Sequence, residues 1–525
     1  MYTINRIAAK RWLAGAILAT TSLLPVQTIQ ADEPDFGERT DQVLRAQSSK
    51  LFGFNKPLSR PSDATDYVPR QSATASQRVR LAGGLKAEFV TRNVATNGDM
   101  IAFWPNATNP THLIVCIEQD RATGGTNPGV QRVDLDNGKV ETILFGTKGC
   151  DGIRTTPWGT ILATEEEDDG RAYEIIDPLT TTGHWVQDRA TGVVKTALNG
   201  SANSTKIAQR PALPTMAWEG LAVLPSGVII AGDELRPGTG GADRDGGAIF
   251  KFIPNSPNLG SQIGDLNQSP LIAGKTYAMV VSCQPVSSGS FPQYGQGCEI
   301  GVGAWLRVDP LNARADARAK GATGYYRPED LHEDPSYEGP GVRFCVANTG
   351  NEGALNYAEV LCGVDSNPLP SLPGEWLRTS DNNYFLTDGG SAKTNVTTVT
   401  VNRFVEGDLR FNSFDNLDFQ PKTGNLYVIE DHPFGEILAC LPDGGDRDIK
   451  TDGCLAMLSV VDPDAEPTGF IFDASGETAY VIVQHGEQPA GMTGTDDLLK
   501  ITGFRTKERE RRSKDEKERE GEERD

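Results

Sequence analysis

Acidic side chains recur along this chain at matched places in a strand–turn–strand module. One copy runs Trp218-Glu219-Gly220-Leu221, then Pro225-Ser226-Gly227, then a β-rich run ending in Asp233-Glu234. Another superposes on it without a gap: Cys150-Asp151-Gly152, Pro157-Trp158-Gly159, and a run ending in Glu165-Glu166. A third needs one insertion and joins Asp415-Asn416-Leu417 and Pro421-Lys422-Thr423-Gly424 to Glu430-Asp431. Glu329-Asp330-Leu331 and Glu466-Pro467-Thr468-Gly469 open further copies, and Asn348 and His485 occupy strand-end places. A single Asp or Glu at a strand end is ordinarily a turn residue. The same register repeated several times predicts instead that distant acids converge. Converging carboxylates repel, and a bound cation relieves them; calcium takes about six to eight oxygen ligands. The candidate ligands are thus Asp151, Glu219, Glu329, Asp415 and Glu466 at the module starts, with Glu165, Glu166, Asp233, Glu234, Glu430 and Asp431 at the strand ends.

Two basic residues stand beside these acids. Arg327, in Arg327-Pro328-Glu329-Asp330, can present a fork of donors to a phosphate or carboxylate, or can serve as the partner of a structural ion pair. His485 is one of five histidines and takes a place that holds acids elsewhere. It could ligate a metal, orient an anionic substrate or protonate a leaving group.

Such convergence requires elements that bring equivalent residues to one centre. From Ala87 to Phe504 the chain alternates short β-runs, such as Val228-Ile229-Ile230-Ala231 and Tyr480-Val481-Ile482-Val483, with Gly, Pro, Asn and Asp. This pattern predicts an all-β propeller or sandwich, and the internal repeat favours a β-propeller, of about six blades. Its inner strands would line the central channel, and insertions at 236–248 and 365–382 would cover the binding face. Residues 1–31 read as a signal peptide, with Arg6, Lys10 and Arg11 ahead of an apolar stretch from Trp12 to Val26 and cleavage at Ala31. Residues 32–85 form an arm, 86–504 the propeller, and 505–525 a charged tail, solvated or disordered. The expected location is secreted or periplasmic, with no membrane span after cleavage.

A formal net charge of -21 excludes nucleic acid and anionic membranes as natural partners. There is no Gly-x-Ser-x-Gly elbow, Walker A loop or His-Glu-x-x-His helix. The eight cysteines of an exported chain permit disulfides. Close spacing favours Cys283–Cys298, Cys345–Cys362 and Cys440–Cys454, leaving Cys116 and Cys150 either paired or free for a metal.

The run from Ala465-Glu466-Pro467-Thr468-Gly469 to Gln484-His485 resembles the C-terminal signature of the PhoX-type alkaline phosphatases. Thr156-Pro157-Trp158-Gly159-Thr160 with Glu165-Glu166, Trp218-Glu219-Gly220-Leu221-Ala222, Arg327-Pro328-Glu329-Asp330, and Asp415-Asn416-Leu417 with Glu430-Asp431 agree in the same order. The resemblance implies an exported phosphomonoesterase on a propeller, with calcium and ferric iron in an axial cluster and one cysteine thiolate at the iron. It implies Glu165, Glu219, Glu329, Asp415, Glu430 and Glu466 as ligands and Arg327 and His485 as substrate contacts. The chain departs from the family at Thr164, where members carry cysteine, and at Glu118-Gln119-Asp120, where they carry Asn-His-Glu. If Cys150 is the iron ligand, the cluster survives; if the position of Thr164 is, a calcium-only site is implied. The resulting expectation is hydrolysis of a small phosphate monoester. The alternatives are a lactonase-like propeller hydrolase and a non-catalytic binding propeller with structural calcium.

Overall fold

The computed structural model describes residues 36–506, apart from 237–245, 282–298, 352, 354, 370–376, 379–383, 386–398, 443–452 and 487–493. The expected signal peptide, the Cys283–Cys298 bridge, most of the charged tail and much of both insertions lie outside the described residues.

The chain folds as a six-bladed β-propeller. Blade 1 is built from Gly98–Trp104, His112–Ile117, Pro128–Asp134 and Val140–Phe145, with His184–Asp188 and Val193–Lys195 added outside. Blade 2 comprises Cys150–Thr155, Ile161–Glu165, Ala172–Ile175 and Ile207–Gln209; blade 3 comprises Trp218–Val223, Ile229–Asp233, Ile249–Pro254 and Gly274–Val281. Pro328–Glu333, Val342–Asn348, Glu359–Asp365 and Val399–Glu406 form blade 4, which Gly301–Val308 joins to the outer edge of blade 3. Blade 5 holds Phe414–Phe419, Leu426–Glu430, Glu436–Cys440 and Cys454–Val460. In blade 6, Glu466–Phe472, Thr478–Gln484 and Thr495–Thr502 are completed by Lys86–Ala95 from the other end of the propeller sequence. That pairing closes the ring and leaves no free sheet edge between first and last blades. The first strand of every blade packs against the first strands of its two neighbours, so six strands surround one axis.

Local sequence explains the hairpins. Gly159 and Gly227 have φ of 83° and 90°, which an L side chain tolerates poorly, and each closes a Pro-x-Gly turn between first and second strands. Inner strands such as Leu426–Glu430 are buried along their whole length, because blades pack face to face. Their sequences therefore read as continuous apolar runs rather than as an alternation.

Residues 36–85 pack on the propeller. Their helix Phe36–Leu51 leads to Phe52 and Phe54, both buried in the core shared by blades 5 and 6. Their strand Val79–Leu81 extends blade 5. Buried Arg70 and Arg78 pair with Asp497 at 2.9 and 3.0 Å, and Arg78 also with Asp462 at 3.1 Å. The segment is thus ion-paired to the strand that carries the ring closure. Cys345–Cys362 and Cys440–Cys454 cross-link neighbouring strands within blades 4 and 5.

Candidate metal centre

A β-bulge interrupts the first strand of each of the first five blades at the same place. The strand partners shift between Gly98 and Ile101, Cys150 and Ile153, Trp218 and Leu221, Pro328 and Leu331, and Phe414 and Leu417. The first bulged residue is an acid every time: Asp99, Asp151, Glu219, Glu329 and Asp415. A bulge sets two residues opposite one and re-aims a side chain; here it brings five acids to the axis. Glycine follows the acid in blades 2 and 3 because neighbouring strands leave no room. A Cβ on Gly152 would meet the Glu219 carbonyl oxygen, and one on Gly220 would meet Asp330 Oδ1. Blade 4 puts Asp330 there instead. Its carboxylate takes Arg154 Nη2 at 2.6 Å and the Leu417 amide at 3.2 Å, stitching blades 2, 4 and 5 beside the acid ring. Burial opposes its ionisation, but His332 and Arg154 hold it below the ordinary carboxylate range.

Three overlapping groups of carboxylates emerge, each with oxygens within 4.8 Å of one another: Asp99, Glu118 and Asp151; Asp151, Glu166 and Glu219; Glu219, Glu329 and Asp415. Asp151 and Glu219 are shared between groups. Further carboxyls adjoin this string: Glu234 is hydrogen-bonded to Glu166, and Asp431 to Glu466. Against the cost of burial, those hydrogen bonds and Arg327 hold Glu234 and Asp431 below their usual range. Burial first, then mutual repulsion, raises the others. Asp99 is pushed up to about 7, Glu329 to about 8 and Glu466 to about 11, and Asp151, Glu219 and Asp415 well above their usual values. No protein donor reaches the buried Asp151 Oδ1 or Glu219 Oε2. A cavity of about 490 Å³ opens onto the cluster, with Glu118, Asp120, Glu166, Glu167, Asp168 and Glu234 on its walls.

The structure corrects four expected ligands. In each strand-end pair the first acid is consumed by the blade and only the second belongs to the axis. Glu165 is chelated by Arg189 at 2.8–3.0 Å and by the Lys148 and Arg171 amides. Asp233 is forked by Arg314 and accepts the Ala217 amide. Glu430 caps the Asn412 and Glu436 amides. Residue alternation explains this, since adjacent side chains on a strand point to opposite faces. Glu166, Glu234 and Asp431 are the axial members. Cys150 is the fourth correction: its sulfur is bonded to Cys116, so it offers no thiolate. Thr164 also lies away from the ligand set and donates to the Gly152 carbonyl at 3.0 Å.

Glu466 joins the cluster out of register. It pairs with Gln484, the place Cys150 and Trp218 hold in their blades, and the blade 6 bulge falls later, between Thr468 and Ile471. Blade 6 ties itself to the ring differently: Gln484 Nε2 reaches Asp99 and Glu118 at 3.1 and 3.3 Å, and Thr468 Oγ1 reaches Asp99 at 2.5 Å. Sequence reading missed Asp99 as a ligand and took Glu118 only as a departure from a family motif. The usable signal was Gly98-Asp99 ahead of Met100-Ile101-Ala102-Phe103. It was hidden because blade 1 turns through a longer loop beginning at cis Pro105 instead of a Pro-x-Gly hairpin.

Both basic candidates lie in this neighbourhood. Arg327 Nε contacts Glu234 and lies 3.0 Å from Glu329, with Nη1 3.9 Å from Asp431. His485 Nε2 lies 3.1 Å from Glu466, and its side chain is 42% exposed. Both hold left-handed backbone, with φ of 62° and 56°, a costly conformation that clusters at functional sites.

No model of a known protein family matches the chain, and no curated protein matches it. Solved structures align with most of its length at low identity. One provisionally described as a gluconolactonase shares 11% identity, over 85% of this chain and 97% of that one, at a TM-score of 0.38. The PQQ-bound aldose sugar dehydrogenase of Streptomyces coelicolor shares 13%, over 80% and 98%, at 0.36. The Cps50 (Swd1) β-propeller domain of Myceliophteria thermophila shares 10%, over 79% and 99%, at 0.37. Likeness of this degree carries no chemistry, and the fold rests on the strand order above.

Proposed function

We propose that the chain is an exported, cation-dependent hydrolase that acts on phosphate monoesters at the axial carboxylate cluster. The observation that carries the cation requirement is the overlap of three carboxylate groups around two buried oxygens, Asp151 Oδ1 and Glu219 Oε2, that no protein donor reaches. The donor set is all oxygen, which suits calcium; with Cys150 in a disulfide, the sulfur that would have favoured iron is gone. Asp99, Glu118, Asp151, Glu166, Glu219, Glu329 and Asp415 would hold the ions. Bound there, hard cations neutralise an anionic ester and polarise its electrophilic centre. The rest of the work falls to the chain's own residues. Arg327 binds and orients outer phosphoryl oxygens through its fork of N–H donors. His485, held through Nε2 by Glu466 and open to solvent, supplies a proton to the departing alkoxide. The ordered motifs shared with the PhoX-type phosphatases support this substrate class.

A second reading, hydrolysis of a neutral cyclic ester such as a sugar lactone, is favoured by the six acids on the cavity wall, which admit an uncharged substrate more readily than an anion. Turnover of p-nitrophenyl phosphate and of gluconolactone, by chelated and calcium-restored protein, separates the readings. Calcium-dependent release of p-nitrophenol, lost in Asp415→Asn, is the expected result. Calcium-dependent lactone opening without phosphatase activity selects the second reading, and neither activity leaves a cation-stabilised binding propeller.

A further inference from the structure

We infer that cation binding unmasks Arg327, so that anion capture at this site is switched on by the ions beside it; the inference rests on the phosphate reading above. Arg327 is surrounded by acids. Its Nε touches Glu234 and lies 3.0 Å from Glu329, and its Nη1 lies 3.9 Å from Asp431. Its side chain is only 16% exposed. Its backbone is fixed: the amide donates to the Leu235 carbonyl at 3.3 Å, and the carbonyl accepts from the Thr349 amide at 3.1 Å. The guanidinium can therefore change partners while its anchor stays in place.

With no cation present, Glu234 and Asp431 neutralise this arginine and Glu329 adjoins it, and the cavity wall adds Glu118, Asp120, Glu166, Glu167 and Asp168. A phosphate approaching that surface meets a negative field and a guanidinium whose Nε and charge are already engaged by acids. Glu329 is the pivot, because it belongs both to the Arg327 pair and to the carboxylate group with Glu219 and Asp415. A cation that draws on Glu329 competes with Arg327 for the same oxygens. Its charge also reverses the local field. Arg327 then loses a partner at the moment when an anion can enter. The ligand class so gated is a tetrahedral oxyanion or a phosphoryl group. By thermodynamic reciprocity, the anion must raise cation affinity by the same factor.

The same geometry makes Arg327 an internal competitor of the cation. Removing its charge should tighten calcium binding when no anion is present while abolishing the anion's effect. A merely structural arginine could do the first through its charge alone, but would not abolish the anion's effect.

The test is calorimetric titration of calcium into chelated full-length protein, with and without inorganic phosphate. Wild type should bind calcium about tenfold more tightly with phosphate, within the usual range of coupling, and chelated protein should not bind phosphate. Arg327→Gln should bind calcium several-fold more tightly than wild type without phosphate and show no phosphate enhancement. Arg327→Lys, which keeps the charge but not the fork, should keep part of the enhancement, and it serves as the second variant if the first unfolds. Equal phosphate binding with and without calcium, or full enhancement in Arg327→Gln, would overturn the inference. Coupling through Arg327 with no p-nitrophenyl phosphate turnover would sink the phosphatase reading alone. Turnover with coupling indifferent to Arg327 would sink this inference alone.

Discussion

Replacing Glu219 with glutamine should move stability in opposite directions with and without calcium. Glu219 is buried, is shared by two of the three carboxylate groups, and carries an oxygen that no protein donor reaches. Its oxygens lie within 4.8 Å of those of Asp151, Glu166, Glu329 and Asp415. At an effective dielectric of about 20, each fully ionised neighbour at that distance costs about 3.5 kcal/mol. Protonation already relieves part of this in the cation-free protein, since burial and repulsion hold these acids partly neutral. The substitution should therefore stabilise the chelated protein by about 1–3 kcal/mol. A propeller of ~420 residues unfolds with an entropy near ~0.9 kcal/mol per kelvin, so the melting temperature should rise by about 1–3 °C. With calcium the sign reverses. Wild type gains about 2.7 kcal/mol at a hundredfold excess over Kd, or about 3 °C. Loss of a shared ligand that weakens binding tenfold removes about 1.4 kcal/mol of that gain. Calorimetric melts of wild type, Glu219→Gln and the exposed control Glu88→Gln, in chelator and across a calcium series, would show the two curves converging or crossing. If Glu219→Gln melts below wild type in chelator and gains as much from calcium, Glu219 is an ordinary structural residue and the cluster reading is wrong.

Two further outcomes follow from the same geometry. Asp99 and Glu329 titrate near 7 and near 8 in the fold because of burial, well above their unfolded values. The folded protein thus holds protons that the unfolded chain releases. The stability these groups contribute is complete below about pH 4 and is lost as pH rises through 7 to 8. Chelated protein should therefore be less stable at pH 8 than at pH 5.5, by on the order of 5 kcal/mol, and melt lower, and saturating calcium should flatten or invert that slope; a chelated melt that climbs with pH would contradict it. The Cys116–Cys150 bridge spans 34 residues and joins blades 1 and 2 beside Glu118 and Asp151. A Cys116→Ala, Cys150→Ala double variant should lose roughly 4 kcal/mol of stability through loop entropy and bind calcium more weakly, and unchanged calcium affinity would show that the bridge does not position those acids.

The blade boundaries were legible because their determinants are local. Pro-x-Gly turns at Gly159 and Gly227 and a Pro-x-x-Gly turn at Gly424, each with a left-handed glycine and flanked by short apolar runs, mark hairpins whatever surrounds them. The repeated acid ahead of each hairpin marked the axis for the same reason, because it stands in one register with its turn. Where the turn was irregular, as after Trp104, the repeat broke and Asp99 was lost with it. The buried arginine pairs to Asp462 and Asp497 were not legible, because they join residues several hundred positions apart.

Which acid of each pair reaches the axis could be decided only in three dimensions. Glu165 and Glu166 are equivalent as letters, and so are Asp233 and Glu234, or Glu430 and Asp431. The choice depends on strand phase and on where Arg189, Arg314 or a pair of free amides happens to lie. The fate of Cys150 is of the same kind, since its sulfur's partner sits in another blade. Composition and spacing determined that carboxylates would be gathered at a centre, because every module repeats the same short-range pattern. The packing of the blades decided which oxygens are left there without a proton donor, because burial and neutralisation are properties of neighbours that the chain order does not contain.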